Sequence, residues 1–189
     1  MNQPADTKFR ELVLYVCLQS EGDRSFGVTK LNKLLYFIDT EAFKQYGKTI
    51  SAQNYVKMPY GPASEHIESV LRTLSDSGAL MIRPVIDSFY PQKQPIALRG
   101  PDWAMFSARE LFLVDYVIRQ YRGMTATQWT ALSHERPGWQ LAGQGERIPI
   151  GADLISGREL SREEAAYGQK LADLPEFKDF LAPVVTGDL

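Results

Sequence analysis

A chain of 189 residues, 44% hydrophobic and 23% charged, has the length and balance of one globular domain, or of one domain with a short appendage. Its 21 basic and 23 acidic side chains leave a net charge of −2, which argues against polyanion binding by bulk electrostatics. The single cysteine, Cys17, excludes an intramolecular disulfide and a cysteine-rich zinc site, and apolar runs such as Leu12 to Leu18 fall well short of the roughly 20 residues a membrane span needs.

In chain order, Asp6 or Thr7 can cap a first helix with an apolar stripe of Phe9, Leu12, Val13, Val16 and Cys17, which Gly22 stops. The start MNQPADTKFREL lacks the basic and apolar regions of a signal peptide, so the expected location is cytoplasmic. Thr29 is the expected N-cap of a second helix, with Leu31, Leu34, Leu35, Ile38, Ala42, Phe43 and Tyr46 on one face and Gly47 as its left-handed C-cap. By helical phase the opposite face, Lys30, Lys33, Asp39, Glu41 and Lys44, should meet water or a partner. Residues 49–58 read as extended, and Pro59-Tyr60-Gly61-Pro62 as a stiff turn. A third helix follows, with Ile67, Val70, Leu71 and Leu74 inward and Gly78 at its end.

Leu80 to Ile86 and Pro95 to Leu98 predict a short hairpin, with prolines at 84, 91 and 95 that suit edge strands. Helix plus hairpin gives a winged-helix-like outline. Ser107 and Glu110 form a capping box for a helix carrying Leu111, Val114, Ile118 and Tyr121, and Thr125 caps a shorter one carrying Trp129 and Leu132. The Gly- and Pro-rich stretch 133–151 reads as ordered loop held by Trp139 and Ile148. A second capping box, Ser161 to Glu164, opens a C-terminal helix, and Phe177, Phe180 and Leu181 suggest a last one packing back on the body. The expected fold class is mainly α (α+β): a compact helical domain with a small β-hairpin.

The chemistry of the chain is sparse. Cys17 sits between Val16 and Leu18 on an apolar face, the setting of an inert core thiol. No nucleophile elbow, Walker loop or G-x-G-x-x-G is present. The histidines, His66 and His134, lie far apart, and Glu65 and Glu68 beside His66 suit a first helical turn better than a metal site. Asp39 and Glu41, two apart on a helix, point away from each other and cannot form a catalytic dyad. Basic residues between Arg24 and Arg83 are interspersed with acidic ones, so a DNA footprint is weak. Neither cofactor nor metal is expected. Tyr60 stands out, because a rigid loop between prolines presents an aromatic ring at little ordering cost on binding.

Lys30-Leu31-Asn32-Lys33-Leu34-Leu35-Tyr36-Phe37, followed by Asp39, Phe43, Tyr46 and Gly47, resembles the opening K-L-x-K-L-L-Y-F helix of the Panacea, or SocA-like antitoxin, domain. Tyr55 and Met58-Pro59-Tyr60-Gly61-Pro62 are similar to its Y-x-x-M-P-Y-G-P turn, and Leu132-Ser133-His134-Glu135, Pro137 and Trp139 to its L-S-H-x-x-P-x-W motif. The resemblance spans roughly residues 10–155 and divides the chain into a domain over 1–155 and a helical extension over 156–189.

The resemblance implies an antitoxin of a bacterial or phage toxin–antitoxin pair, with phage defence among the settings of such pairs. Such an antitoxin binds and neutralises a toxin encoded by the adjacent gene. In one branch of the family the antitoxin instead acts as an adaptor delivering the toxin to the ClpXP protease. Lys33, Lys44, Tyr60, Gly61, Pro62 and His134 are the expected partner contacts. The alternatives are a winged-helix DNA-binding regulator and, last, an enzyme built on Ser133, His134 and Glu135.

Overall fold

In the computed structural model the first apolar stripe folds as α1 (Pro4–Gln19), burying Phe9, Leu12, Val13, Val16 and Cys17. The structure describes residues 4–85, 92–154 and 161–172. The start of α1 lies upstream of the expected Asp6 or Thr7 cap. Pro4 occupies the first turn, where a missing N–H costs nothing, and Asp6 faces the positive end of the dipole. Burial pushes the Cys17 thiol well above its ordinary value, as an inert core cysteine requires.

The second helix, α2 (Val28–Tyr46), is capped by Gly27 rather than Thr29. It ends as expected on Gly47, which takes φ 68° and donates its N–H to the Phe43 carbonyl at 2.9 Å. Every residue of α2 from Lys30 to Thr40 is buried. The expectation that Lys30, Lys33 and Asp39 face water is therefore corrected: α2 is the central helix, covered on all sides.

Each polar group on its far side meets a partner instead. The Lys30 ammonium donates to Asp23 at 2.6 Å, and Asn32 Oδ1 accepts the Ser64 N–H at 3.1 Å. Tyr36 donates to Asp153 at 3.1 Å. Asp39 accepts the N–H groups of Ile50 and Ser51 at 2.8 and 3.0 Å, the Tyr55 hydroxyl at 2.7 Å, and the Ser51 hydroxyl. Of that face Lys44 reaches solvent and Glu41 is half-buried, and they pair with each other at 2.9 Å.

Beyond α2 the chain makes β1 (Tyr55–Met58) and β2 (Gly61–Ser64), antiparallel, with Met58 opposite Gly61. The stiff turn is thus narrower than expected: Pro59 and Tyr60 form its tip, and Gly61 and Pro62 already belong to a strand. Next, α3 (Ile67–Asp76) buries Ile67, Val70, Leu71 and Leu74, the expected stripe.

β3 (Leu80–Val85) and β4 (Gln92–Ala97) then form the expected hairpin, although β4 begins three positions earlier than Pro95. In a two-stranded sheet every strand has an open edge, which is where Pro84 and Pro95 fit. Ile86 and Pro91, which entered the hairpin reading, lie outside the described residues.

α4 (Ala108–Gln120) and α5 (Ala126–His134) open with complete capping boxes at Ser107/Glu110 and Thr125/Gln128. The stretch expected to be loop carries α6 (Pro137–Leu141), β5 (Arg147–Ile148) and a 3₁₀ turn (Ile150–Leu154). Trp139 and Ile148 are buried within it, as expected. β5 pairs antiparallel with β1, giving a three-stranded sheet of order β2-β1-β5. The protein is mainly α with small antiparallel β elements.

The chain divides into two units, Met1–Ile155 and Ser156–Leu189. In the second, α7 (Arg162–Ala172) begins one residue after Ser161, where a helix start was expected. Phe177, Phe180 and Leu181 lie outside the described residues.

Candidate functional site

Segments distant in sequence meet over the middle of α2. The β1–β2 hairpin comes down on Lys33, and α5 closes the same spot from beside it. Lys33 is 1% exposed, and its ammonium donates to Thr130 Oγ1 at 2.7 Å. Gly61 sits directly on the lysine stem at φ 122°. A Cβ there would lie 2.5 Å from Lys33 Cε and 3.2 Å from Ser133 Oγ, so only glycine fits both the backbone angle and the space. Burial pulls the Lys33 amine down to about 8.

His134, at the end of α5, lies flat on Trp139 of α6, with ring centroids 4.3 Å apart and planes inclined by 8°. Its Nε2 is buried and without a hydrogen-bond partner among the described residues. Lys57 of β1 also reaches the Trp139 ring, its ammonium 4.9 Å from the centroid, and donates to the Ala142 carbonyl at 2.8 Å. Burial, and then the charges of Lys33 and Lys57, hold His134 below its ordinary value, which keeps the ring neutral at pH 7. Gly138 packs close to Ile148 and donates its N–H to Asp153 at 2.9 Å, which fixes α6 against the 3₁₀ turn and so orients Trp139.

Above this floor stands the hairpin tip. Tyr60 is 74% exposed, whereas Gly61 and Pro62 beside it are buried. Met58 and Leu141 are also exposed. A ring on a tip whose next two residues are locked into the core is presented in a fixed position.

Five of the six expected contact residues therefore fall in one region: Lys33 and His134 in the floor, Gly61 and Pro62 in the hairpin base, Tyr60 at the tip. Lys44 does not join them; it is on the last turn of α2, paired with Glu41. Lys57 and Thr130 were not singled out from the sequence. Lys57 carried a faint signal, since strand alternation puts it on the same face as the buried Tyr55. Thr130 carried none, because only tertiary contact brings it to Lys33.

The rival chemistries do not assemble. Ser133 Oγ donates back to the Thr130 carbonyl at 3.0 Å, and His134 is occupied with Trp139, so no nucleophile–base bond joins them. His66 Nδ1 is 3.0 Å from Gln53 Oε1, and Glu65 pairs with Arg147 at 2.9 Å. No group of three or more His, Cys, Asp or Glu that could hold a metal ion occurs among the described residues. No described helix is long and apolar enough to cross a membrane.

No curated protein and no solved structure matches the chain. Comparison with known families matches residues 31–140 to the family described as antitoxin SocA-like, Panacea domain. That match covers more than half of the chain and takes in Lys33, the Tyr60 turn, His134 and Trp139. The chain belongs to the SocA-like, Panacea-domain antitoxin family.

Proposed function

We propose that the protein is an antitoxin that neutralises a cognate toxin, the product of a neighbouring gene, by binding it directly through the hairpin tip and the floor beneath it. The observation that carries this reading is the convergence of Lys33, Gly61, His134 and Trp139 on one point under an exposed Tyr60. A fixed aromatic ring beside a polar floor is the composition of an interface anchor, which buries much area at little entropic cost. Tyr60 and Met58 are the contacts, Gly61 and Pro62 hold them in place over the buried Lys33, and His134 forms the polar side. The partner covers a surface of standard size, roughly 1,200–2,000 Å² in total. The pair acts in the cytoplasm, with residues 156–189 serving as a helical extension of the binding domain.

Co-expression with the neighbouring gene product tests this. The expected result is rescue of growth together with a complex that survives size-exclusion chromatography. Replacing Tyr60 by Ala should weaken that complex by about tenfold or more and leave the thermal midpoint of the free protein unchanged. Rescue without an isolable complex, and only where ClpXP is present, would replace occlusion by delivery to the protease. A Tyr60→Ala variant that binds as well as the parent would remove the hairpin tip from the interface.

A further inference from the structure

The floor beneath Tyr60 holds a buried and a half-buried lysine that have no carboxylate partner among the described residues. The ion pairs among the described residues join Lys8, Lys30, Lys44, Arg99, Arg119, Arg136 and Arg147 to nearby carboxylates. Lys33 and Lys57 have none. Lys33 donates to a threonine hydroxyl, and Lys57 to a backbone carbonyl while lying over an aromatic face. Both are close enough to His134 for their charges to disfavour a proton on its ring. His134 adds a buried Nε2 that no described group satisfies. Two cations thus lie near His134 without a counter-charge among the described residues.

We propose that this corner receives a carboxylate from the partner: an Asp or Glu side chain flanked by an apolar residue, seated on the Lys57 ammonium while the apolar neighbour packs on Tyr60, Met58 and Leu141. The inference rests on the protein-binding reading above and names the chemistry of the segment that is bound. Charge complementarity selects this occupant. A basic segment would face the unneutralised Lys57 ammonium, and a wholly apolar one would cover it without pairing it, a penalty larger than its contacts return. A carboxylate turns both costs into charge-assisted hydrogen bonds. The exposed apolar rim then excludes water around the pair, as the surround of an interface hot spot does.

The test uses the full chain and the neighbouring gene product. Binding is measured for the parent, for Lys57→Glu, and for Lys93→Glu, an exposed lysine on the β3–β4 hairpin that controls for the change in net charge. The expected result is binding about thirtyfold weaker for Lys57→Glu, little change for Lys93→Glu, and growth rescue restored to Lys57→Glu by a screened Asp→Lys or Glu→Lys exchange in the partner. Parent-level binding by Lys57→Glu, with the parent complex intact, overturns the carboxylate anchor and leaves the antitoxin reading standing. Equal weakening by both charge reversals also overturns it, because long-range charge then suffices. If the parent forms no complex, both readings fall. Circular dichroism of Lys57→Glu separates lost binding from lost fold. Should that variant be unfolded, Lys57→Gln takes its place, with an expected loss of about tenfold and parent-level binding as the overturning result.

Discussion

Lys30 and Lys33 are one helical turn apart on the same helix, 5% and 1% exposed, yet they are treated in opposite ways. Lys30 lies 2.6 Å from the Asp23 carboxylate, 2.9 Å from Ser25 Oγ and 3.3 Å from the Met124 carbonyl, so each of its protons has an acceptor. Among the described residues Lys33 has one neutral acceptor, Thr130. A buried ammonium that is paired and fully hydrogen-bonded can be neutral in its effect on stability, whereas one left without a counter-charge opposes folding. The difference separates a joint from a site. The Lys30 cluster ties the loop after α1 to α2 and to the chain leading into α5. The Lys33 corner holds a cost that folding alone does not repay.

The comparison breaks most sharply at Asp23. Asp23→Ala leaves the Lys30 ammonium buried beside a hydroxyl and a carbonyl only, and should cost about 3–5 kcal/mol, read as a lower urea midpoint at unchanged slope. A loss below about 1 kcal/mol would mean that Lys30 escapes to solvent and the two lysines differ less than their geometry indicates. Burial alone would raise the Asp23 carboxyl, but its hydrogen bonds with Lys30 and Ser25 outweigh that and bring it to about 2. Its folded value is depressed, so its contribution is present above the ordinary 3.8 and is lost as pH falls toward about 2. The parent's acid limb should therefore be steeper than that of Asp23→Ala.

A smaller effect of opposite sign is expected at Lys33. Its folded value of about 8 lies below the ordinary 10.5, so between those pH values the unfolded chain binds the extra proton and stability rises with pH. Lys33→Met should stabilise the protein by about 2 kcal/mol at pH 7 and abolish that alkaline rise, while weakening partner binding. Chemical denaturation at pH 7, 8.5 and 9.5 reads it. A destabilised Lys33→Met variant at pH 7 would show that the ammonium is structural after all.

The smallest effect sharpens how tightly the corner is built. Gly61→Ala should cost about 2 kcal/mol through its backbone angle and the clash with Lys33 Cε. In the Lys33→Ala background the clash disappears and the angle does not, so a double-mutant cycle should show coupling of about 1 kcal/mol. Zero coupling would mean that the lysine stem moves aside freely.

Much of this architecture is legible in one dimension, because local rules write it. The stripe of α3, the capping boxes at Ser107 and Thr125, the Gly47 C-cap and the β3–β4 hairpin all follow from periodicity and turn chemistry within a few residues. The misses share one cause. Helical phase identified which residues of α2 are apolar, but a lysine whose acceptor is 97 positions away and an aspartate whose donors begin 11 positions on look like solvent-facing residues until those partners arrive. The 133–151 stretch looked like loop because α6 and β5 are too short for a periodic signal and are held by long-range packing through Gly138, Asp153 and Tyr55.

From sequence alone, then, came the helical class, the order of the longer helices and the β3–β4 hairpin, the family resemblance and the singling out of Tyr60, since each depends on residue type and near-neighbour spacing. Which polar residues are enclosed, which of them are left without a counter-charge, and that Lys57 and His134 meet at one aromatic ring were decided by tertiary structure. The free energy of a buried charge depends on its partners, and partners far apart in the chain meet only when it folds.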